Sequence, residues 1–325
     1  MNDAVAWRPT ASPAMLRRRA EALHAVREFF RARNVLEVET PALVNAPVCD
    51  VNLASARVTL GGLEKPLYLH TSPEYAMKRL LAAGSGDIYQ ICRVYRAAER
   101  GRQHNPEFTM IEWYRLGFSL DDLMREVADL VRGLLGRGAS ELPAEFVSYR
   151  EAVQRHAGID PLNDNIEALR HVARDLGLAE AHAATAGRDE LLDLIVGARV
   201  GPRLGAGSLT FIHRYPASQA ALARLDEADP RVALRFELYH GGIELANGYH
   251  ELTSGAEQRQ RFAADQAARR SRDLPPTAID ERLLAALEAG LPDCAGVALG
   301  FDRVLMLAAG ATHIDEVLAF PLERA

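Results

Sequence analysis

The sequence predicts an α+β fold in which an antiparallel sheet is flanked by helices and carries a helix-rich insertion. Two β-type segments, IYQICRVYR from Ile88 and FTMIEWYR up to Arg115, flank a long polar loop (97–107) that contains a Gly and a Pro. That pattern reads as an antiparallel hairpin with a long functional loop. A second hairpin follows from RVALRFELYHGGIELANGYHELT (231–253), where Gly241-Gly242 separates two alternating apolar runs. Between the hairpins, SLDDLMREVADLVRGLL is a capped amphipathic helix ended by Gly136, and 137–230 stays rich in Ala, Leu and Arg with Gly and Pro punctuation. Region 119–230 therefore reads as an insertion between parts of one sheet, with a strand at SLTFIHRYP (208–216).

The chain has 325 residues, enough for one large domain or two ordinary ones. Its net charge of −6 argues against bulk nucleic-acid binding, which needs a basic excess, but leaves room for a local basic patch. Cys49, Cys92 and Cys294 show neither disulfide-framework nor metal-site spacing, so a reducing cytosol is the simplest setting. No HExxH-type pair occurs, and structural zinc is not expected. The segment MNDAVAWRPTASPA has no apolar core, and no run of about 18 apolar residues occurs; neither a signal peptide nor a membrane span is predicted.

Ser12-Pro13 marks a helix start, and Leu16, Leu23, Val26, Phe29 and Phe30 give the helix an apolar stripe to about Arg33. Arg17, Arg18 and Arg19 are expected on its solvated side. VLEVETPAL then reads as a strand stopped by Pro41, which lacks an N–H and belongs at an edge or strand end. This unit serves either ordinary packing or a dimer interface. Residues 50–70 read as short strands with a turn at Gly61-Gly62. In HTSPEYAMKRLLAAG, Ser72 is the expected N-cap, Pro73 the first helical residue and Glu74 part of the first turn. A polar, Arg-rich helix (255–272) and a second helix (279–290) precede CAGVALGFDRVLMLAAG.

Alternation puts Phe108, Met110, Glu112 and Tyr114 on one strand face, and Thr109, Ile111 and Trp113 on the other. Arg96, Arg100, Arg102 and His104 form a cationic rim beside that acid and phenol. Carboxylate floor and cationic rim together suit a molecule with an amine at one end and phosphates at the other, although a solvated strand face is the alternative. In the second hairpin Tyr239 should oppose Glu244, so that Glu237 and Glu244 converge diagonally. Like charges that close favour an intervening cation, and a Mg²⁺ clamp completed by phosphate oxygens and water is the expectation. Asn247, Gly248 and Glu251 would extend the polar floor. Gly296, Ala298 and Gly300 let a strand lie close to a ligand, and Arg303 follows at the strand's end with the planar fork that suits polyphosphate.

The helix–strand–proline unit ending at Pro41, the Arg96–Tyr114 hairpin with Arg102-Gln103-His104-Asn105-Pro106-Glu107-Phe108, and the glycine strand before Arg303 resemble the three motifs of class II aminoacyl-tRNA synthetases, in order. HNPEFTMIEWY and IELANGYHEL resemble the lysyl subgroup. Only about 25 residues precede the first motif, short of the ~50 a small domain needs, so an anticodon-binding domain is not expected and 1–325 is expected to be one catalytic domain. TSPEYAMKRLLAAG, EFTMIEWYR and PDCAGVALGFDR resemble a bacterial family that activates β-lysine with ATP and attaches it to a lysine of elongation factor P.

That resemblance implies a cytoplasmic homodimeric ligase that uses ATP and Mg²⁺, takes lysine or β-lysine, and charges no tRNA. It implies that Arg96 holds the α-phosphate and Arg303 the γ-phosphate of a bent ATP. Phe108 would stack on adenine, with Ala98, His104, Asn105, Leu245 and Gly300 lining the nucleotide and Glu237 and Glu244 holding Mg²⁺. Ser72, Pro73 and Glu74 would receive the amino-acid head, and Glu112, Tyr114 and Glu251 the distal ammonium. Two departures stand out: Ala98 occupies the position of a glutamate in the family pattern, with Glu99 next to it, and Ala298 replaces the glycine of lysyl-tRNA synthetases. A non-catalytic amino-acid-binding regulator, or a ligase with a small-amine acceptor, would share many of these features.

Overall fold

The computed structural model describes residues 7–62 and 65–325. Its frame is an eight-stranded mixed sheet with strand order β1-β5-β6-β11-β10-β9-β8-β7. The six inner strands are β5 (Ile88–Tyr95), β6 (Glu107–Leu116), β11 (Cys294–Gly300), β10 (Ile243–His250), β9 (Val232–His240) and β8 (Leu209–Pro216), and all pair antiparallel. The two edge strands, β1 (Leu36–Glu37) and β7 (Ala144–Ser148), add parallel to β5 and β8.

Each face of the sheet has its own partner. Tyr89, Ile111, Trp113, Phe236, Leu238, Val297 and Leu299 are buried with side chains of α1 (Pro13–Arg31), α3 (Leu120–Leu135) and α10 (Phe301–Ala309) in one apolar core. The opposite face is polar at its centre. It is walled at one end by α2 (Glu74–Ala82), α8 (Gly255–Ser271) and α9 (Glu281–Gly290), whose Met77, Leu81, Phe262, Leu283, Leu284 and Leu287 pack with Ile88 and Tyr114. At the other end α4 (Tyr149–Ala157), α5 (Ile166–Asp175) and α7 (Arg188–Ile195) form a lobe with its own core against β8 and β9; the short α6 (Glu180–Thr185) belongs to the same stretch.

Several local expectations shift. α1 ends at Arg31, and Asn34 turns the chain with φ 55°. The expected strand after it shrinks to β1, because Leu43–Val44 (β2) leaves for a small second sheet with β4 (Leu67–Leu69) and β3 (Arg57–Val58). Leu16 is largely exposed, while Val26 and Phe30 carry the apolar stripe. Arg19 is not solvated: it reaches under the sheet to Asp302 Oδ1 (2.5 Å) and Thr109 Oγ1 (2.6 Å), while Arg18 donates to the Ala308 carbonyl. The 119–230 stretch is more than helices, since α3 belongs to the main core and β7 and β8 extend the sheet. Pro73, not Ser72, is the N-cap of α2; Ser72 Oγ still accepts from the Glu74 N–H at 3.0 Å.

Candidate active site

One cavity of about 990 Å³ lies on the polar face. Sheet register places its floor. Across four strands Gln90, Glu112, Ala298 and Asn247 pair in one row that continues to Glu237 on β9. The adjacent row runs Ile88, Tyr114, Gly296, Tyr249, Arg235. Since side chains alternate between faces along each strand, both rows look the same way.

The second hairpin turns as its sequence requires: Gly241 and Gly242 take φ 57° and 74°, the positive pair of a type I′ loop, and Tyr239 opposes Glu244. A bulge then intervenes between Glu244 and Ala246. The extra residue, Leu245, resets the alternation, so Asn247 and Tyr249 join Glu244 on the cavity side. Gly248 consequently faces the apolar core, where a Cβ would lie 2.5 Å from the Phe236 ring, and it is no part of the floor.

At one end of the cavity three acids and one cation are locked together. Lys78 Nζ, 1% exposed, sits 2.6 Å from Glu74 Oε1 and 2.7 Å from Glu251 Oε2. Ser72 Oγ donates to Glu112 Oε2 and Tyr114 OH to Glu112 Oε1, each at 2.7 Å. Gly296 makes this possible, because a Cβ there would stand 2.6 Å from Glu251 Oε1 and 2.3 Å from the edge of the Tyr114 ring. Burial, reinforced by the neighbouring Glu74, pushes the Glu112 and Glu251 carboxyls up to about 8, Lys78 opposing the rise at both. Burial also works against the Lys78 charge, but Glu251 and Glu74 outweigh it and hold the ammonium protonated. Among the described residues, Glu251 Oε1 is buried without a hydrogen-bond partner.

The other end is cationic. Arg303 Nη1 donates to the Glu244 carbonyl (2.8 Å), and Nη2 to His104 Nε2 (2.6 Å). Burial and the Arg303 charge lower the His104 pKa, so a neutral ring accepts that bond. Arg96 lies 5.2 Å from the Phe108 ring centroid and 3.5 Å from Glu99. Glu99 lines the cavity; Ala98 is exposed and does not, which corrects the assignment of Ala98 to the nucleotide. Arg100 leaves the expected rim as well, forked onto Asp315 and Glu323, and Arg102 is exposed outside the cavity. Asn105 lines the cavity while its amide ties the loop to Glu107 and Leu322. Leu245 and Gly300 line this end too.

Between the two ends stand the two acids of the second hairpin. Both oxygens of Glu237 already accept bonds, from Arg235 (2.5 Å) and Tyr239 OH (2.7 Å). The Glu244 carboxylate lies 3.8 Å from Arg303, and burial next to Glu237 raises its pKa. Each Glu237 oxygen retains a second lone pair, so the pair still suits a hard cation that takes one or two carboxylates plus phosphate oxygens.

Ser72, Pro73, Glu74, Arg96, His104, Asn105, Phe108, Glu112, Tyr114, Glu237, Glu244, Leu245, Glu251, Ala298, Gly300 and Arg303 thus border one cavity. Sequence reasoning missed Lys78, although its i+4 spacing from Glu74 was visible. It also missed Arg235, which alternation places on the same face as Glu237. Asp189, Asp193, Ser218 and Gln219 of the inserted region line the cavity as well, where no chemistry was expected.

An antiparallel sheet with one acidic and one cationic pole across a glycine-bearing strand matches the class suggested by the motifs, and the family model of class II tRNA synthetases (D, K and N) covers residues 2–324. The chain belongs to that family. Within it the chain is 50% identical over 323 residues to the elongation factor P–(R)-beta-lysine ligase of Vibrio cholerae, spanning 98% of both chains. It is likewise 50% identical to the enzyme of that name from Klebsiella pneumoniae and 48% identical to the one from Pectobacterium carotovorum, in both cases over 329 residues and the whole of each chain.

Proposed function

We propose that this chain is an ATP-dependent ligase that activates a diamino acid, lysine or (R)-β-lysine, and transfers it to a lysine ε-amino group of elongation factor P. Half-identity along the full length of ligases with that name supports the reaction class. The observation that carries the chemistry is the polarity of the cavity: acids Glu74, Glu112 and Glu251 at one end, Arg96 and Arg303 at the other, within one space of about 990 Å³.

In the first step a substrate carboxylate oxygen attacks the α-phosphorus of ATP, the bond to the bridging oxygen breaks, and pyrophosphate leaves. The chain's part is positioning and charge neutralisation. Arg96 takes the α-phosphate and Arg303 the γ-phosphate, released from the Glu244 carbonyl and His104. Phe108 offers a face to adenine, and Glu99 lines the same cavity beside Arg96. Glu244 and Glu237 would hold a Mg²⁺ ion, which would supply charge neutralisation of the triphosphate oxygens. Ser72 and Glu74 receive the amino-acid head, while Glu112, Tyr114 and Glu251 hold the distal ammonium. In the second step the acceptor amine attacks the acyl carbon, the acyl–oxygen bond to AMP breaks, and the amine's proton passes to the departing AMP phosphate.

Ala298 lies in register between Glu112 and Asn247. Its methyl group crowds an α-ammonium and favours the β-amino isomer, worth about 1–3 kcal/mol of discrimination. Ala298→Gly should shift the ratio of kcat/KM for α- and β-lysine toward lysine; an unchanged ratio contradicts this. We also propose a cytoplasmic homodimer formed around α1 and β1, where Leu36 is 55% exposed on an edge strand. A non-catalytic regulator would have no need of paired arginines and acids around one cavity. Intact-mass measurement of elongation factor P after incubation with ATP, Mg²⁺ and β-lysine tests the whole reading. A gain of one lysyl residue is expected; an unmodified acceptor alongside an active first step would favour a small-amine ligase.

A further inference from the structure

Glu74, Glu112 and Glu251 border the cavity, but Lys78 does not: one turn beyond Glu74 on α2, its ammonium reaches Glu74 and, across to the sheet, Glu251. A cation in that position cannot be a ligand contact. It is also too well enclosed, at 1% exposure, to serve solubility. With every group ionised the pocket sums to two net negative charges, three carboxylates less one ammonium. A diamino acid brings two ammonium groups. We infer that Lys78 is the positioning and specificity-determining residue of the amino-acid pocket, a built-in counter-ion that fixes the Glu74 and Glu251 carboxylates and trims the pocket's charge to match a diammonium substrate. This rests on the diamino-acid reading of the site proposed above.

With Lys78 in place the Glu112 and Glu251 carboxyls already stand at about 8, and without that fixed cation three neighbouring carboxylates hold on to their protons to higher pH still. Among the described residues, Tyr114 on β6, Tyr249 on β10, Cys92 on β5 and Cys294 on β11 face the cluster and are neutral when protonated, while Arg235, in register with Tyr249, is already held by Glu237 and Asn247. Lys78 favours the ionised form of both Glu112 and Glu251. Its loss should therefore move amino-acid binding to higher pH and leave ATP binding alone, since the arginines lie at the far end.

The test is pyrophosphate release by Lys78→Met as a function of lysine or β-lysine concentration, between pH 6 and 9, beside the native enzyme. The expected result is a KM for the amino acid raised at least tenfold at pH 7 and falling as pH rises, with its inflection displaced upward from the native one, while KM for ATP stays within twofold. An amino-acid KM profile that overlays the native one overturns the inference, as does an equal rise in both KM values. Should Lys78→Met fail to fold, Lys78→Met combined with Glu74→Gln removes one charge of each sign and restores the sum. That variant should keep an inflection near the native pH, whereas one displaced as far as loss of the cation alone requires overturns the charge-matching role. A native enzyme that releases no pyrophosphate with either amino acid would instead refute the diamino-acid reading itself.

Discussion

The two ends of the cavity are built on opposite principles. At the amino-acid end, Lys78 holds Glu74 and Glu251, and Ser72 and Tyr114 hold Glu112, before any ligand arrives. At the nucleotide end, Arg303 rests on a carbonyl and a neutral histidine, and Arg96 on a partly exposed glutamate. Those partners are weak and replaceable by phosphate oxygens, which make stronger charge-assisted bonds. Selectivity among amino acids calls for a rigid, desolvated pocket. A polyphosphate that must enter and leave as pyrophosphate calls for cations that change partners.

The contrast breaks most visibly at Arg303. Arg303→Ala should lower kcat for adenylate formation by about 10²–10³-fold, the effect of removing one preorganised electrostatic donor, with amino-acid affinity little changed. Rates measured at saturating lysine or β-lysine check this. The converse change is Gly296→Ala. Its methyl group would meet Tyr114 and Glu251, so overpacking should cost about 1–3 kcal/mol in denaturant unfolding and weaken amino-acid binding, with the nucleotide end spared.

A third effect follows from Glu112 and Glu251, whose carboxyls stand at about 8 in the absence of ligand. A bound diammonium favours their ionised form, so the complex holds fewer protons than the free protein. Binding must then tighten as pH rises from 6 to 8, by up to about tenfold per pH unit for each proton released. Calorimetry in buffers of different ionisation enthalpy reads both affinity and proton release. Smallest should be Arg100→Ala. Because Arg100 already pairs with Asp315 and Glu323, its loss should weaken ATP binding no more than a few-fold, through the loop it anchors; a loss comparable to that at Arg303 would mean it leaves those acids for phosphate.

Local signals explain how much of this was legible in the sequence. Gly241-Gly242 sets a two-residue loop, and the loop sets the Tyr239–Glu244 register, so the convergence of Glu237 and Glu244 could be read directly. The bulge at Leu245 could not, since nothing in IELANGYHE distinguishes it from regular alternation; the misplacement of Gly248 follows from that. Arg19 was expected on a solvated helix side because its acidic partner, Asp302, lies far along the chain, and Lys78 was passed over because Glu251, the partner that sets it beside the pocket, is equally remote even though Glu74 is four residues away. The arginine run at 17–19 looks like a solvated face until α10 is packed against it. The fold was visible in periodicity and turns, and the ion pairs that tune the site depend on tertiary contact.

The most direct measurement is ATP–pyrophosphate exchange driven by a diamino acid in the native protein. Exchange is expected with lysine or β-lysine, absent with the monoamino analogue norleucine, and lost in Arg303→Ala. Exchange that runs equally well with norleucine, or that persists without Arg303, would show that the acidic and cationic ends do not serve one reaction.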